Sequence, residues 1–274
     1  MSLFTVDQKE CRRDGLCVAE CPAKIIEIIG KEGFPTPIDG AEELCINCGH
    51  CVSICPHGAL SLKTMSPKDC LPLRKELLLS PEHCEHFLRS RRSIRSYKEK
   101  RVSRDLLQKL IETARYAPSG HNSQPVRWLV IEDPIEVKRL AGLVADWMRS
   151  LLAQRAEYAL SMHMDRVVDS WDKGIDRILR SAPHLVVAHG LSTMPISQSS
   201  CFIALTYLEL AAPSLGLGTC WAGYFTAAAN SYPPLQEALA LPQGHLPYGA
   251  AMIGYPKYSY QRMPPRNKPE ITWR

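Results

Sequence analysis

No uninterrupted apolar run in the 274-residue chain approaches the ~20 residues a membrane helix requires. The first residues also lack the basic-then-apolar pattern of a secretory signal, so a cytoplasmic location away from the membrane is expected. Charge of either sign is nearly balanced. Lys and Arg number 33 against 28 Asp and Glu, and the resulting net charge of +5 is too mild to imply nucleic acid binding. Missing, too, is a Gly-x-Gly-x-x-Gly run after an apparent strand, which excludes a dedicated dinucleotide-binding domain.

Cysteine, by contrast, is abundant, with eleven residues. Four stand in Cys45-Ile-Asn-Cys48-Gly-His-Cys51-Val-Ser-Ile-Cys55-Pro56. Three thiolates so close together can wrap one face of an iron–sulfur cube. Structural zinc instead takes two Cys pairs separated by a long spacer, and cysteines spaced this closely do not easily reach bridging geometry. The string resembles the motif of bacterial two-cluster ferredoxins, whose fourth Cys, followed by Pro, serves the neighbouring cluster. Upstream, Cys11-Arg-Arg-Asp14-Gly-Leu-Cys17-Val-Ala-Glu-Cys21-Pro22 keeps every position but one, with Asp14 standing where the second Cys would be.

The resemblance implies that cluster II, a 4Fe-4S cube, is held by Cys45, Cys48, Cys51 and Cys21. Cluster I would take Cys11, Cys17 and Cys55, with Asp14 as candidate fourth ligand. Carboxylate is a harder ligand than thiolate and holds that iron less tightly. Two outcomes stay open: Asp14 or a water-derived ligand completes a 4Fe-4S cube, or the iron is lost and a 3Fe-4S cluster remains. The plainer reading of Asp14 is a turn residue beside Gly15. Cys70, Cys84, Cys201 and Cys220 have no pairing logic and are expected to be small buried hydrophobes.

Two domains suit the length. Residues 1–63 form the ferredoxin-like unit, with short apolar segments at 24–29 and 59–62 expected as small strands paired across a pseudo-twofold repeat. Residues 64–88 read as a Pro-punctuated linker with one or two short helices, the last capped by Ser80 and opening at Pro81. Residues 89–274 form the second domain.

That domain opens with Arg91-Arg92-Ser93-Ile94-Arg95-Ser96-Tyr97. Next come a helix capped by Ser103 with Leu106, Leu107, Leu110, Ile111 and Ala114 on one face, the loop Pro118-Ser119-Gly120-His121-Asn122-Ser123-Gln124-Pro125, and a strand at 128–131. The order is similar to the start of the FMN-dependent nitroreductase family. The resemblance implies an α+β fold, a three-layer α-β-α domain with a mainly antiparallel sheet, and an intertwined homodimer. Independently, Arg forks and a hydroxyl suit a phosphate. By resemblance the FMN site takes Arg91, Arg92, Ser93, Arg95, Pro118, Ser119, Gly120 and Asn122. Ala222 and Gly223 join it from Gly216-Leu-Gly-Thr-Cys-Trp-Ala-Gly-Tyr224, as do Arg266 and Lys268 from the closing basic pair. Val126 departs from the Trp that many relatives carry.

Residues 134–180 read as a long helical region starting at Pro134 with Asp133 as cap, 184–188 as a buried strand, 199–215 as a central helix apolar all round, and 246–255 as a final strand. The whole resembles ferredoxin–nitroreductase fusions. It implies an oxidoreductase in which a low-potential donor protein or NAD(P)H supplies electrons and the clusters pass them to FMN. FMN in turn reduces a small electron-poor acceptor such as a nitroaromatic, quinone or enone. No dedicated catalytic acid is expected. Two other classes stay open, an electron-transfer adaptor for a partner protein and a redox or iron sensor built on cluster I.

Overall fold

The structure is a computed structural model, and it describes residues 2–274. Contacts divide the chain into two compact units. One comprises Met1–Leu78 with Gly120–Ser123, the other Leu79–Ser119 with Gln124–Arg274.

The amino-terminal unit runs β1 (Phe4–Val6), α1 (Leu16–Glu20), β2 (Ile26–Ile28), β3 (Pro35–Pro37), α2 (Ala41–Leu44), α3 (His50–Ser53) and β4 (Leu60–Leu62), then two 3-10 turns at Pro67–Asp69 and Lys75–Leu77. The sequence repeat reappears as geometry. Gly15 and Gly49, each two residues before a Cys, take φ of 74° and 76° and start α1 and α3, a left-handed turn that any side chain would strain. The segments expected as small strands form β2 and β4, which do not pair with each other. β2 pairs antiparallel with β3, which precedes the second Cys motif, and β4 with β1, which precedes the first, so each ribbon joins one half of the repeat to the other. The core joins Phe4, Ile25, Ile26, Val52, Leu60 and Leu62 to Cys17, Cys21 and Cys51. An interior this small buries little apolar surface, so ligands bound to its cysteines would contribute much of its stability.

The larger unit contains α4 (Pro81–Ser90), α5 (Arg104–Ala114), β5 (Arg127–Ile131), α6 (Pro134–Ala153), α7 (Glu157–Ser161), α8 (Met164–Asp172), β6 (His184–Leu191), α9 (Ser197–Ala211), β7 (Gly218–Trp221), α10 (Gly223–Ala229), α11 (Pro233–Leu239) and β8 (His245–Gly254). The expected caps form: Ser80 Oγ accepts from His83 N–H, Ser103 Oγ from Leu106 N–H, and Asp133 Oδ1 from Ile135 N–H. Each satisfies an otherwise orphaned donor at a helix start.

Its sheet has the order β5-β6-β8-β7 with every neighbour antiparallel. Alternate residues of the central strands feed two cores. Leu185, Val187, Ala250 and Met252 pack with Val137, Leu140, Val144 and Met148 of α6 and Phe225 of α10. Val186, Ala188, Ala251 and Ile253 pack with Leu107 and Leu110 of α5 and Leu205 and Leu208 of α9. Both faces are covered, which makes the three-layer α-β-α arrangement.

Three expectations need correction. Residues 134–180, read as a long helical region, hold the three helices α6, α7 and α8, separated where Arg155 and His163 turn left-handed at φ of 52° and 50°, and the last ends at Asp172 rather than near 180. The helix expected at 199–215 ends at Ala211 and continues as a 3-10 turn. Nor is it buried all round, since Phe202, Ile203 and Tyr207 remain 37–40% exposed. Finally, Cys201 and Cys220 are buried, whereas Cys70 and Cys84 are only half-buried.

Candidate functional site

In the amino-terminal unit the eight candidate ligands gather into two sets. One hollow is lined by Cys21, Cys45, Cys48 and Cys51 among apolar residues including Phe4, Ile25 and Leu62. A second is lined by Cys11, Asp14, Cys17 and Cys55, with Arg12, Arg13 and His57 beside them. Each hollow thus takes its last Cys from the other motif. Electrostatics agrees with the grouping. Burial, then the nearby thiols Cys21, Cys48 and Cys45, push the Cys51 thiol up to about 11. Cys17 is raised by burial first and by Cys11 and Cys55 after it. Positive iron would relieve both penalties by stabilising thiolate. Ala59 N–H donates to Cys55 Sγ at 3.4 Å, a neutral donor aimed at a candidate ligand. Asp14 lines the second hollow, and its Oδ1 accepts from Leu16 N–H at 3.2 Å at the start of α1. Among the described residues, no three His, Cys, Asp or Glu side chains converge as a single metal ion would demand.

In the larger unit, the basic segment lies beside the ends of β7 and β8. Ile94 N–H donates to Thr219 O at 2.8 Å, Tyr97 bridges to Pro256, and Lys257 N–H donates to Ser96 O. Gly218 permits this approach, since a Cβ there would sit 2.4 Å from Ile94 Cγ1. The segment borders a cleft of about 340 Å³ lined by Arg91, Arg92, Glu209, Gly216, Thr219, Tyr258 and Tyr260 among others. Arg92 Nη1 donates to Arg91 O at 2.7 Å, but its Nε is buried with no partner among the described residues. A buried cationic donor without an acceptor is costly, and an anion in the cleft would satisfy it. Arg91 Nη1 is held by Glu209 Oε1 at 2.9 Å, and Glu209 Oε2 accepts from Trp221 Nε1 at 3.2 Å. Nothing in the sequence singled out Glu209. It lies 118 positions from Arg91 inside an apolar helix, where a lone carboxylate is the one available signal.

The remaining expected residues are dispersed. Ser93 and Arg95 adjoin the cleft segment, with Ser93 Oγ 3.4 Å from Arg91 Nη1. Pro118 and Ser119 line another cleft, shared with Trp128 and Ser200, and Ser119 Oγ accepts from Gln124 N–H. Gly120 and Asn122 group with the amino-terminal unit. Ala222 N–H is engaged by Ala250 O, while Gly223 opens α10 with free space where a Cβ would stand. Arg266 and Lys268 lie in an exposed segment without regular structure.

The model of the nitroreductase family matches residues 88–255, well over half of the chain. The chain belongs to the nitroreductase family. A 4Fe-4S dicluster domain matches residues 9–60, so this family member is fused to a ferredoxin-type module. Curated relatives include a putative NADH dehydrogenase/NAD(P)H nitroreductase of Archaeoglobus fulgidus, 24% identical over 64% of this chain and 87% of that protein. Another is an iodotyrosine deiodinase of Thermotoga neapolitana, 28% identical over 48% of this chain and 68% of that protein. Among solved structures, a nitroreductase with bound FMN from Bacteroides fragilis superposes with a TM-score of 0.56 at 22% identity, covering 69% of this chain and 96% of that one. A nitroreductase with bound FMN from Desulfitobacterium hafniense gives 0.56 at 23%, over 71% and 99%. The fold expected of the larger domain is thereby confirmed.

Proposed function

We propose that this nitroreductase-family oxidoreductase is an iron–sulfur flavoprotein. It takes electrons from a low-potential donor protein through two clusters to FMN and on to an electron-poor small molecule such as a nitroaromatic, quinone or enone. The observation that carries this reading is the pair of four-residue hollows, each completed by the other motif's last Cys, in a chain whose larger unit has the nitroreductase fold. Inorganic centres of this kind add nothing to hydride transfer from nicotinamide, but they suit a donor that delivers single electrons.

FMN, when bound, supplies two-electron reduction of the acceptor, and the chain supplies binding, orientation and electrostatics. The cleft beside Arg91 fits its phosphate, because the buried Arg92 Nε lacks, among the described residues, an acceptor that a phosphate oxygen would provide. Arg92, Arg91 and Ser93 would hold that phosphate. Arg95, exposed on the same segment, would place positive charge near the ring, where it favours the reduced, anionic form. Pro118, Ser119, Ala222 and Gly223 would border the ring, and Arg266 and Lys268 would add to the phosphate site. A homodimer would cover the apolar face left open by Phe202, Ile203 and Tyr207, and the exposed tail bearing Met263, Ile271 and Trp273 is suited to crossing between subunits. The reading places the protein in a reducing cytoplasm.

The test is composition. Protein purified without air should contain one FMN and about seven to eight irons per chain, with both chromophores bleached by a reduced ferredoxin-type donor. Flavin without iron, or iron bound as a single ion, would refute it.

A further inference from the structure

Residues 120–123 belong to the same compact unit as the cysteine motifs, although they come from the loop before β5. Within that unit Asn122 Nδ2 donates to Asn47 O at 2.9 Å and to Ile46 O at 3.3 Å. Ile46 and Asn47 are the two residues between Cys45 and Cys48. Both acceptors are carbonyls, so the amide's orientation is fixed: only its NH₂ end can serve them. Asn47 and Asn122 both stand in the left-handed region, at φ of 50° and 51°, which Asn tolerates better than most residues. Thr64 Oγ1 donates to the Asn47 side chain as well. The two-residue bridge between adjacent candidate ligands is therefore held by groups distant in sequence.

We propose that Asn122 is a positioning residue for the iron–sulfur cluster of Cys21, Cys45, Cys48 and Cys51, fixing its Cys45–Cys48 loop and raising its reduction potential. The proposal rests on the cluster assignment above. The two carbonyls that Asn122 bonds belong to peptide units whose N–H ends are those of Asn47 and Cys48. Donation to a carbonyl oxygen polarises its peptide and makes the N–H end more positive. Positive dipole ends in a ligand loop favour the reduced, more negative cluster, and cluster potentials respond to such hydrogen bonding. Asn122 thus acts on the inorganic centre through the loop, without touching it.

The experiment is a redox titration of the full, iron- and flavin-loaded protein, followed by electron paramagnetic resonance. Asn122→Leu removes the donors at similar size. The expected result is about a tenfold shift of one cluster's equilibrium toward its oxidised form, ~59 mV for a one-electron couple, with the other cluster unmoved and Asn122→Gln restoring part of the shift. Loss of one cluster's iron alone from Asn122→Leu supports the proposal too. Unchanged potentials in Asn122→Leu, equal shifts of both clusters, or loss of flavin with unshifted clusters overturns it. If Asn122→Leu loses iron and flavin together, Asn122→Gln decides: wild-type potentials support the proposal, and the same collapse overturns it. Wild-type protein that takes up no cluster refutes the proposed function itself. Two wild-type clusters indifferent to Asn122→Leu refute only this inference.

Discussion

Glu209 on α9 grips Arg91: its Oε1 lies 2.9 Å from Arg91 Nη1, while its Oε2 accepts from the Trp221 indole. The carboxylate is 9% exposed and the guanidinium 26%, so the pair is shielded enough to matter. It keeps one positive charge of the cleft neutralised and leaves Arg92 as the cation without a counter-charge there. A phosphate entering the cleft meets a carboxylate as well as two arginines. Glu209→Gln should therefore lower the stability of flavin-free protein by ~1.5–3 kcal/mol, the usual range for a hydrogen bond to a charged group. It should also tighten FMN binding several-fold. Denaturant melts of the apoprotein and a flavin fluorescence titration measure the two effects separately. Weaker FMN binding in the variant would show that Glu209 helps to hold the cofactor instead.

Arg92 carries the complementary expectation. Its buried Nε has no acceptor among the described residues, so Arg92→Met should remove a charge-assisted bond to the phosphate, while inside the fold it removes only the Nη1 bond to Arg91 O. FMN affinity should drop about 10- to 100-fold, with little change in the melting of flavin-free protein. An unchanged dissociation constant would place the phosphate elsewhere.

On the proposed cluster assignment, Asp14 is expected to set the air stability of the cluster at Cys11, Cys17 and Cys55. A carboxylate already accepting from Leu16 N–H holds a candidate corner iron less firmly than thiolate would. On exposure to air, the cluster at Cys11, Cys17 and Cys55 should lose iron first and give a 3Fe-4S resonance. Asp14→Cys should abolish that resonance and retain about four irons at the site. Equal air stability of the wild type and the variant would remove Asp14 from the ligand set.

The legible and hidden parts of this protein divide along a physical line. Motif spacing, helix caps and alternating core faces are local, and the sequence displays them: the two Cys motifs meet in two hollows, and Ser80, Ser103 and Asp133 cap their helices as expected. Left-handed turns at Arg155 and His163 divide the region read as helical without any Gly or Pro to announce them. Strands of three residues such as β1 and β3 are too short to show a period. Glu209 and Asn122 act across more than seventy residues, and only folding brings their partners to them.

A pH prediction follows from His189, whose Nδ1 is 2.9 Å from His245 Nδ1 and whose strand neighbour is Arg127. Burial first, then His245 and Arg127, push His189 down to about 4, against ~6.5 in an unfolded chain. The unfolded state therefore binds more protons between these values. The contribution of His189 to stability is complete above ~6.5 and is lost as pH falls toward about 4, with a slope of at most ~1.4 kcal/mol per unit. Between pH 7 and pH 5, wild-type protein should lose more stability to denaturant than His189→Asn. Parallel losses would contradict the assignment.

The central claim is that electrons enter through the cysteine-bound centres and leave through the flavin. Anaerobic rapid mixing of the full-length protein with a reduced ferredoxin-type donor, following cluster and flavin absorbance together, tests it most directly. Cluster bleaching should precede flavin bleaching in the wild type, and Cys48→Ser should slow flavin reduction at least tenfold while leaving FMN bound. Flavin reduction that matches the wild-type rate in Cys48→Ser, or that precedes the clusters, would contradict the account.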